Sequence, residues 1–274
     1  MPRFVQIAIV CLLVVGSTVA PAKGQPVIMA TTTSTDNTGL LDVLAPAFKK
    51  DTGIELRWVA VGTGKALKMG ENCDVDVLFV HAPDAETAFL VKGFGLDRRP
   101  VMTNDFVIIG PAADPAGAKG RLAGRALKAI AQAGAVFVSR GDLSGTHQKE
   151  LSLWRMADMA VPDKAPWYVQ TGQGMIKTIL VAEERGGYAL TDRGTYIKYA
   201  AARRAGSHVL KVLVEGDPNM LNHYSVIAVN PRRCPSVNHQ AAVRFADWVT
   251  SAAVQELIGS FKLLGKPLFV PAAR

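Results

Sequence analysis

Cysteine is scarce in this chain, with three residues among 274, at positions 11, 73 and 234. They form no CxxC pair and no Cys/His cluster of metal-ligand spacing, which excludes a zinc site or a dithiol redox centre. No Walker loop occurs, so the chain carries no P-loop for ATP hydrolysis. His81, His147 and His223 are surrounded by no Ser/His/Asp or Cys/His set in an enzyme pattern, and no enzyme is read here. Basic residues outnumber acidic ones by eight, yet only pairs stand together, such as Arg98-Arg99, Arg203-Arg204 and Arg232-Arg233. Without a dense basic block, nucleic acid is not the expected partner, and the surplus points to an anionic surface or a small anion. Beyond the N-terminus no apolar run approaches a membrane span. What remains is a composition of 49% hydrophobic and 20% charged residues, that of a folded chain with a sizeable core, in one large domain or two lobes.

Residues 1–24 read as an address. Arg3 supplies a positive start, Phe4 to Val15 is an apolar stretch too short to span a bilayer comfortably, and the small residues Ser17, Ala20, Ala22 and Gly24 follow. This predicts a secretory signal peptide cut between Ala20 and Gly24, with an uncleaved anchor helix as the alternative. Pro21 disfavours cut sites beside it. Cys11 follows Val10 inside the apolar stretch, which argues against a lipid anchor. Cleavage removes Arg3 and Lys23 and lowers the net charge from +8 to +6. The expected product is a soluble periplasmic protein. It keeps Cys73 and Cys234, which either pair in that oxidising compartment or stay as two buried thiols.

The rest of the chain alternates short apolar strands with amphipathic helices, the pattern of an α/β fold with a mostly parallel sheet. Expected strands are 27–30, 54–61, 75–80, 105–110, 135–139, 210–215 and 224–230. Expected helices are 38–50, 65–69, 84–91, 122–131, 144–159, 175–184, 237–251 and 253–261. The strands DFVIIG and YSVIAVN resemble each other, and each is followed by proline (Pro111, Pro231). They are read as two crossover strands joining lobe one (25–110 and 222–274) to lobe two (111–221).

Three loops share one character. Thr31-Thr32-Thr33-Ser34, Gly62-Thr63-Gly64 and Ser139 to His147 (SRGDLSGTH) each follow a strand and open a helix. Free N–H groups at a helix start, hydroxyls and close-approach glycines favour an anion, and Arg140 adds a planar cationic fork. Each loop alone is equally readable as a helix cap, a tight turn or a solvated arginine. The joint pattern is more specific.

The segments ATTTSTDNTGLLDVLAPAFKKDTGI, GTGKAL, DVDVLFVHAP, NDFVIIGPAADPAG, SRGDLSGTHQKEL, TGQGM, ALTDRGTY and NHYSVIAVNP carry a resemblance over nearly the whole chain after the leader. In this the chain resembles the periplasmic tungstate-binding proteins of tungstate ABC importers, in the type II periplasmic binding protein superfamily. SRGDxSGTH alone is shared with phosphate-binding relatives. The resemblance implies a two-lobed Venus flytrap, each lobe a mixed, mostly parallel sheet flanked by helices, with one oxyanion in the cleft and no cofactor or metal. It assigns Thr32, Thr33, Ser34 and Thr63 of lobe one and Arg140, Ser144, Gly145 and Thr146 of lobe two to the anion. Gly64, Gly172, Gln173 and Met175 are expected to line the cleft. The continuation Ile176-Lys177-Thr178 departs from the family's Gly-rich pattern and puts a ligand role for Thr178 in doubt. Cys73 is a second departure. The implied partners are an ABC permease with its ATPase subunit, and the protein is expected as a monomer.

Tungstate and molybdate are unprotonated dianions near neutral pH, whereas phosphate keeps a proton and gains from a buried carboxylate acceptor. Phosphate-binding relatives have an aspartate after the third strand. Here that place reads His81-Ala82-Pro83. Asp142 is the remaining carboxylate and is expected to orient Arg140 or cap the next helix. His147 is read as a structural residue or an indirect donor. A donor-only site fits tungstate first, with molybdate, sulfate or phosphate binding on the same fold as alternatives. A secreted hydrolase of anionic esters is a reading of a different class.

Overall fold

The computed structural model describes residues 25–203 and 210–273. The expected signal peptide, residues 1–24, lies outside the described residues. In chain order β1 (Val27–Thr32) runs into a four-residue helix α1 (Thr33–Asp36), then α2 (Leu40–Thr52), β2 (Leu56–Val61), α3 (Thr63–Glu71), β3 (Val77–Val80), α4 (Pro83–Val91) and the long β4 (Gly95–Gly110). Next come α5 (Ala123–Gln132), β5 (Phe137–Ser139), α6 (Gly145–Met156), β6 (Tyr168–Gln170), α7 (Met175–Glu184), β7 (Ala189–Asp192), α8 (Arg193–Ala201) and β8 (Lys211–Val214). The chain returns through a 3-10 turn at Pro218–Met220 into β9 (Leu221–Val229), α9 (His239–Val249) and α10 (Ala252–Ser260). It closes with a hairpin of β10 (Lys262–Leu263) and β11 (Lys266–Pro267), followed by β12 (Val270–Pro271). Among the described residues no helix is long and apolar enough to cross a membrane.

The strands are apolar on both sides because both faces of the sheet are covered. Val77 and Phe79 of β3 join Leu40, Leu44 and Phe48 of α2 and Phe245 of α9 on one face. The intervening Leu78 and Val80 join Ala66 and Leu67 of α3 and Phe89 of α4 on the other. Further along, Phe106 and Ile108 of β4 pack with Leu127 of α5 and Trp154 of α6, while Val107 and Ile109 pack with Ile179 of α7 and Tyr199 of α8. Each of these fully buried side chains contributes roughly 1.5–3 kcal/mol on the transfer scale. The result is two helix–sheet–helix lobes.

The sheet is mixed. β2, β1 and β3 run parallel. β9 enters antiparallel between β3 and β4, and β7 and β8 add to the far half of β4, also antiparallel. β5 and β6 form a short parallel pair. Among the described residues, antiparallel ladders therefore carry the connection between lobes, a larger share than the alternating pattern suggested. β4 threads both lobes: its Gly95–Asp105 half pairs with β9, and its Phe106–Ile109 segment pairs with β7. Phe106 to Ile109 pack with side chains of α5 to α8, and the expected strand at 105–110 is the end of one that begins at Gly95. The polar first half, LDRRPVMTN, does not read as a strand. β6, β7, α8 and the C-terminal hairpin were likewise absent from the sequence reading. They are short, or too polar to show a clear period.

Cys73, in the turn after α3, is joined by a disulfide to Cys234, in the turn after β9, across 161 residues. This settles the choice the sequence left open between a bridge and two thiols. The bridge closes a loop containing all of lobe two, and the loop-closure entropy it removes from the unfolded chain is worth about 3–5 kcal/mol. Reducing the bridge, or replacing both residues by serine, is expected to lower the urea midpoint accordingly. Oxidised and reduced chains unfolding at the same midpoint would overturn that expectation.

Candidate functional site

The three loops singled out by their residue types converge on one cavity of about 350 Å³ between the lobes. Thr32, Thr33 and Ser34 enter from the end of β1, and Thr63 and Gly64 from the start of α3. Arg140, Ser144, Gly145 and Thr146 enter from the loop between β5 and α6. The cavity is narrow: a methyl group built on Gly145 would sit 3.6 Å from His81 Cε1 and 3.8 Å from the Thr63 hydroxyl of the opposite lobe.

Local hydrogen bonding fixes each loop. The Thr32 hydroxyl accepts from the Thr35 N–H and caps α1. Gly62 precedes α3 without a side-chain cap, which leaves first-turn N–H groups for another acceptor. Ser144 caps α6 by accepting from the His147 N–H. Asp142 uses both oxygens: Oδ1 accepts from the Ser144 N–H at 3.1 Å and Oδ2 from Arg140 Nη2 at 2.5 Å. It therefore both orients Arg140 and supports the cap. Burial pushes the Asp142 carboxyl up, but the bonds from Ser144 and the Arg140 charge outweigh it and hold the carboxyl below its ordinary value. His147 Nδ1 accepts from the Leu143 N–H, which pins Leu143 at a left-handed φ of 58°. From the neighbouring loop, the Thr171 N–H donates to the Ser139 carbonyl and the Gly172 N–H to the Arg140 carbonyl.

Asp142 occupies one end of the guanidinium, whereas Arg140 Nε is buried with no partner in the protein. A buried N–H without an acceptor is costly, so an acceptor brought into the cavity gains what the empty loop forgoes. Lys65 adds a second positive group to the wall. Asp142 is the one carboxylate among the lining residues, and its oxygens are already engaged.

Not every expected residue is there. Gly172, Gln173 and Met175 do not line this cavity. The Gly172 and Gln173 N–H groups are spent inside the loop, on Arg140 and Thr171, and Met175 is drawn into the apolar face beside Ile179 and Val138. Thr178 is buried and bonds Thr171 at 2.9 Å, a supporting contact. The residue that sequence reasoning passed over is His81, which lines the cavity with Nε2 2.9 Å from Thr32 Oγ1 and 3.2 Å from Ser34 Oγ. The available signal was its place directly after β3, where the strand ends face the cleft. A second cavity, of about 400 Å³, lies at the crossing strands between Leu221 and Phe269. Its arginine, Arg193, is already paired with Asp105 and Glu215, so it offers no free cation.

A model of the PBP superfamily domain matches residues 16–253 of the chain. The tungstate-binding protein TupA of Campylobacter jejuni is 53% identical over 241 residues, 88% of this chain and 89% of that protein. Among solved structures, the tungstate-binding protein TupA from Desulfovibrio alaskensis G20 is 63% identical with a TM-score of 0.87, covering 92% of this chain and all of that one. The tungstate ABC transporter structure from Geobacter sulfurreducens is 46% identical with a TM-score of 0.76, covering 88% of this chain and all of that one. The chain belongs to the PBP superfamily.

Gly141 is the position where the arginine loop has least tolerance. Its φ is 61°, and a Cβ there would lie 2.9 Å from Gln170 Cβ. Gly141→Ala is expected to destabilise the protein by about 1–2 kcal/mol from the left-handed backbone alone. It should also displace the Arg140–Asp142 pair. A thermal melt and an anion titration of the variant check both effects, and an unchanged melt would contradict the strain argument.

Proposed function

We propose that this PBP-superfamily protein captures tungstate in the cleft between its two lobes, here taken as 25–105 with 221–274 and 106–220, and delivers it to an ABC importer. The observation that carries the reading is the buried, unpartnered Nε–H of Arg140, a residue that lines a cavity walled by hydroxyls and helix starts. Similarity to the tungstate-binding proteins of Campylobacter jejuni and Desulfovibrio alaskensis supports tungstate as the ion. The ligand set proposed is Thr32, Thr33, Ser34 and Thr63 from one side and Arg140, Ser144, Gly145 and Thr146 from the other, with Gly64 and Lys65 on the wall.

The mechanism is binding without chemistry. The anion meets the hydroxyls and the α3 start of lobe one. Closure about the crossing strands then brings the α6 start and Arg140 onto it, expels water and strengthens each charge-assisted hydrogen bond. Asp142 keeps the guanidinium in place, so little ordering is required when the ion arrives. A permease with its ATPase subunit would receive the closed protein on the periplasmic side of the membrane. The similarity to the tungstate ABC transporter structure supports that partner class.

Calorimetric titration with tungstate, molybdate, sulfate and phosphate tests the assignment. Tungstate is expected to bind and phosphate not to compete, and tighter phosphate binding would overturn the ligand. Arg140→Ala should weaken tungstate binding by about 1.5–3 kcal/mol, the scale of a hydrogen bond to a charged group. Unchanged affinity would remove Arg140 from the site.

A further inference from the structure

The cavity wall carries one titratable group that capture by hydroxyls and amides does not require. His81 packs against the Tyr224 ring at a tilt of 35°, with centroids 4.7 Å apart, and both its ring nitrogens are engaged. Nδ1 lies 3.0 Å from Asn222 Oδ1, and Nε2 faces the hydroxyls of Thr32 and Ser34. Asn222 and Asn104 are register partners on the crossing strands, and Asn222 Nδ2 donates to Asn104 Oδ1 at 2.9 Å. With its amide nitrogen committed there, Asn222 offers His81 only its oxygen. Nδ1 therefore carries the hydrogen in the neutral ring, and Nε2 is left as an acceptor. A neutral imidazole holds a hydroxyl proton of this cluster, in which Thr32 Oγ1 also lies 2.7 Å from Thr35 Oγ1 and 3.0 Å from Ser34 Oγ, and an imidazolium releases it.

We propose that His81 is a positioning residue that couples oxyanion capture to uptake of one proton: neutral in the empty cleft, it holds a hydroxyl proton of Thr32 or Ser34, and once protonated at Nε2 it donates to that oxygen and releases the hydroxyl proton toward the anion. The inference rests on the oxyanion reading above. The balance is simple. One proton from solvent forms the Nε2–H bond on capture, the same proton returns to solvent on release, and no other bond changes.

The surroundings suit a group that is neutral alone and cationic beside an anion. Burial lowers the imidazole below its ordinary range. The Asn222 bond and the charges of Glu86 on α4 and Asp192 at the start of α8 act the other way. Across the cavity stand Lys65 on α3 and the Arg140–Asp142 pair before α6, whose charges largely offset. On the far side, Lys149 of α6 and Asp84 of α4 face each other over an adjoining cavity that His81 also lines. The Tyr224 hydroxyl on β9 is pushed well above its ordinary value by burial and stays neutral. A dianion in the cavity is then the added charge that tips His81 to the cation. Its pKa is raised in the bound state, so affinity is greatest at low pH and falls as pH rises between the free and bound values.

Titration calorimetry of the full protein with sodium tungstate, from pH 6.5 to 8.5 in two buffers of different ionisation enthalpy, tests the coupling. The expected result is uptake of close to one proton per tungstate at pH 7.5 and a fall in affinity of about tenfold per pH unit. His81→Gln keeps a side-chain N–H donor but cannot titrate, so its affinity should not vary with pH. Tungstate binding without proton uptake, or a pH slope that survives His81→Gln, overturns the coupling and leaves the oxyanion reading standing. No tungstate binding at any pH overturns the oxyanion reading itself. The proton count needs only the unsubstituted chain, so the test does not depend on the variant folding.

Discussion

The antiparallel register of β4 against β9 is the constraint on which the rest of the molecule depends. It sets Asn104 opposite Asn222 where the chain leaves one lobe for the other. From that pair the polar contacts run to His81 and on to the hydroxyls at the end of β1. The same β4 then pairs with β7, which leads directly into α8, and so places lobe two. A shift of one residue would turn every side chain of the crossing segment to the opposite face and break both the core and the polar chain. Closure can therefore move the lobes as bodies while the strands between them keep their pairing.

On that frame the site solves an electrostatic problem with few charges. An arginine left free in a buried cleft would be costly, and one paired on every donor would be useless to a ligand. Asp142 takes one Nη of Arg140 and leaves Nε free. The carboxylate in turn is anchored by the Ser144 N–H at the start of α6, so the pair and the helix cap stabilise one another. Among the described residues, interlobe contacts outside the cavity include the Arg193–Asp105 pair. Lys198 of α8 donates to the Asn37 carbonyl at the end of α1, and Ile197 packs in the core of the other lobe. α8 thus reads the position of the loop that carries the threonines.

Much of this was legible in the sequence, for identifiable reasons. Loops that follow a buried strand and open a helix stand out by composition, and all three did converge: Thr32 to Ser34, Thr63 with Gly64, and Arg140 with Ser144 to Thr146 line one cavity. Asp142 was legible as an orienting group because it sits two residues from Arg140. Met175 was expected at the cleft from the resemblance alone, and its place at the start of α7 puts it beside Ile179 and Val138. The polar half of β4 did not read as a strand, since Arg99 there answers in part to Asp247, 148 residues away. His81 was passed over for the same reason: its meaning comes from Asn222, 141 residues away. Pairings over such distances leave no local trace in composition or period.

Net charge and selectivity belong to different scales. The overall surplus of +8 assists the encounter with any anion and cannot choose among them. Choice rests on what the wall can accept as well as on what it can donate. A ligand that keeps a proton must hand it to an acceptor, and the acceptors of this cavity are the hydroxyl oxygens, His81 Nε2 and Asp142, whose two oxygens each already take one hydrogen bond, from Arg140 and from the Ser144 N–H. A phosphate must spend one of them on its own O–H, whereas a fully ionised oxyanion can take every contact from a donor. The orientation of Asp142 and of His81, held by Arg140, Ser144 and Asn222, thus bears on the choice of ion.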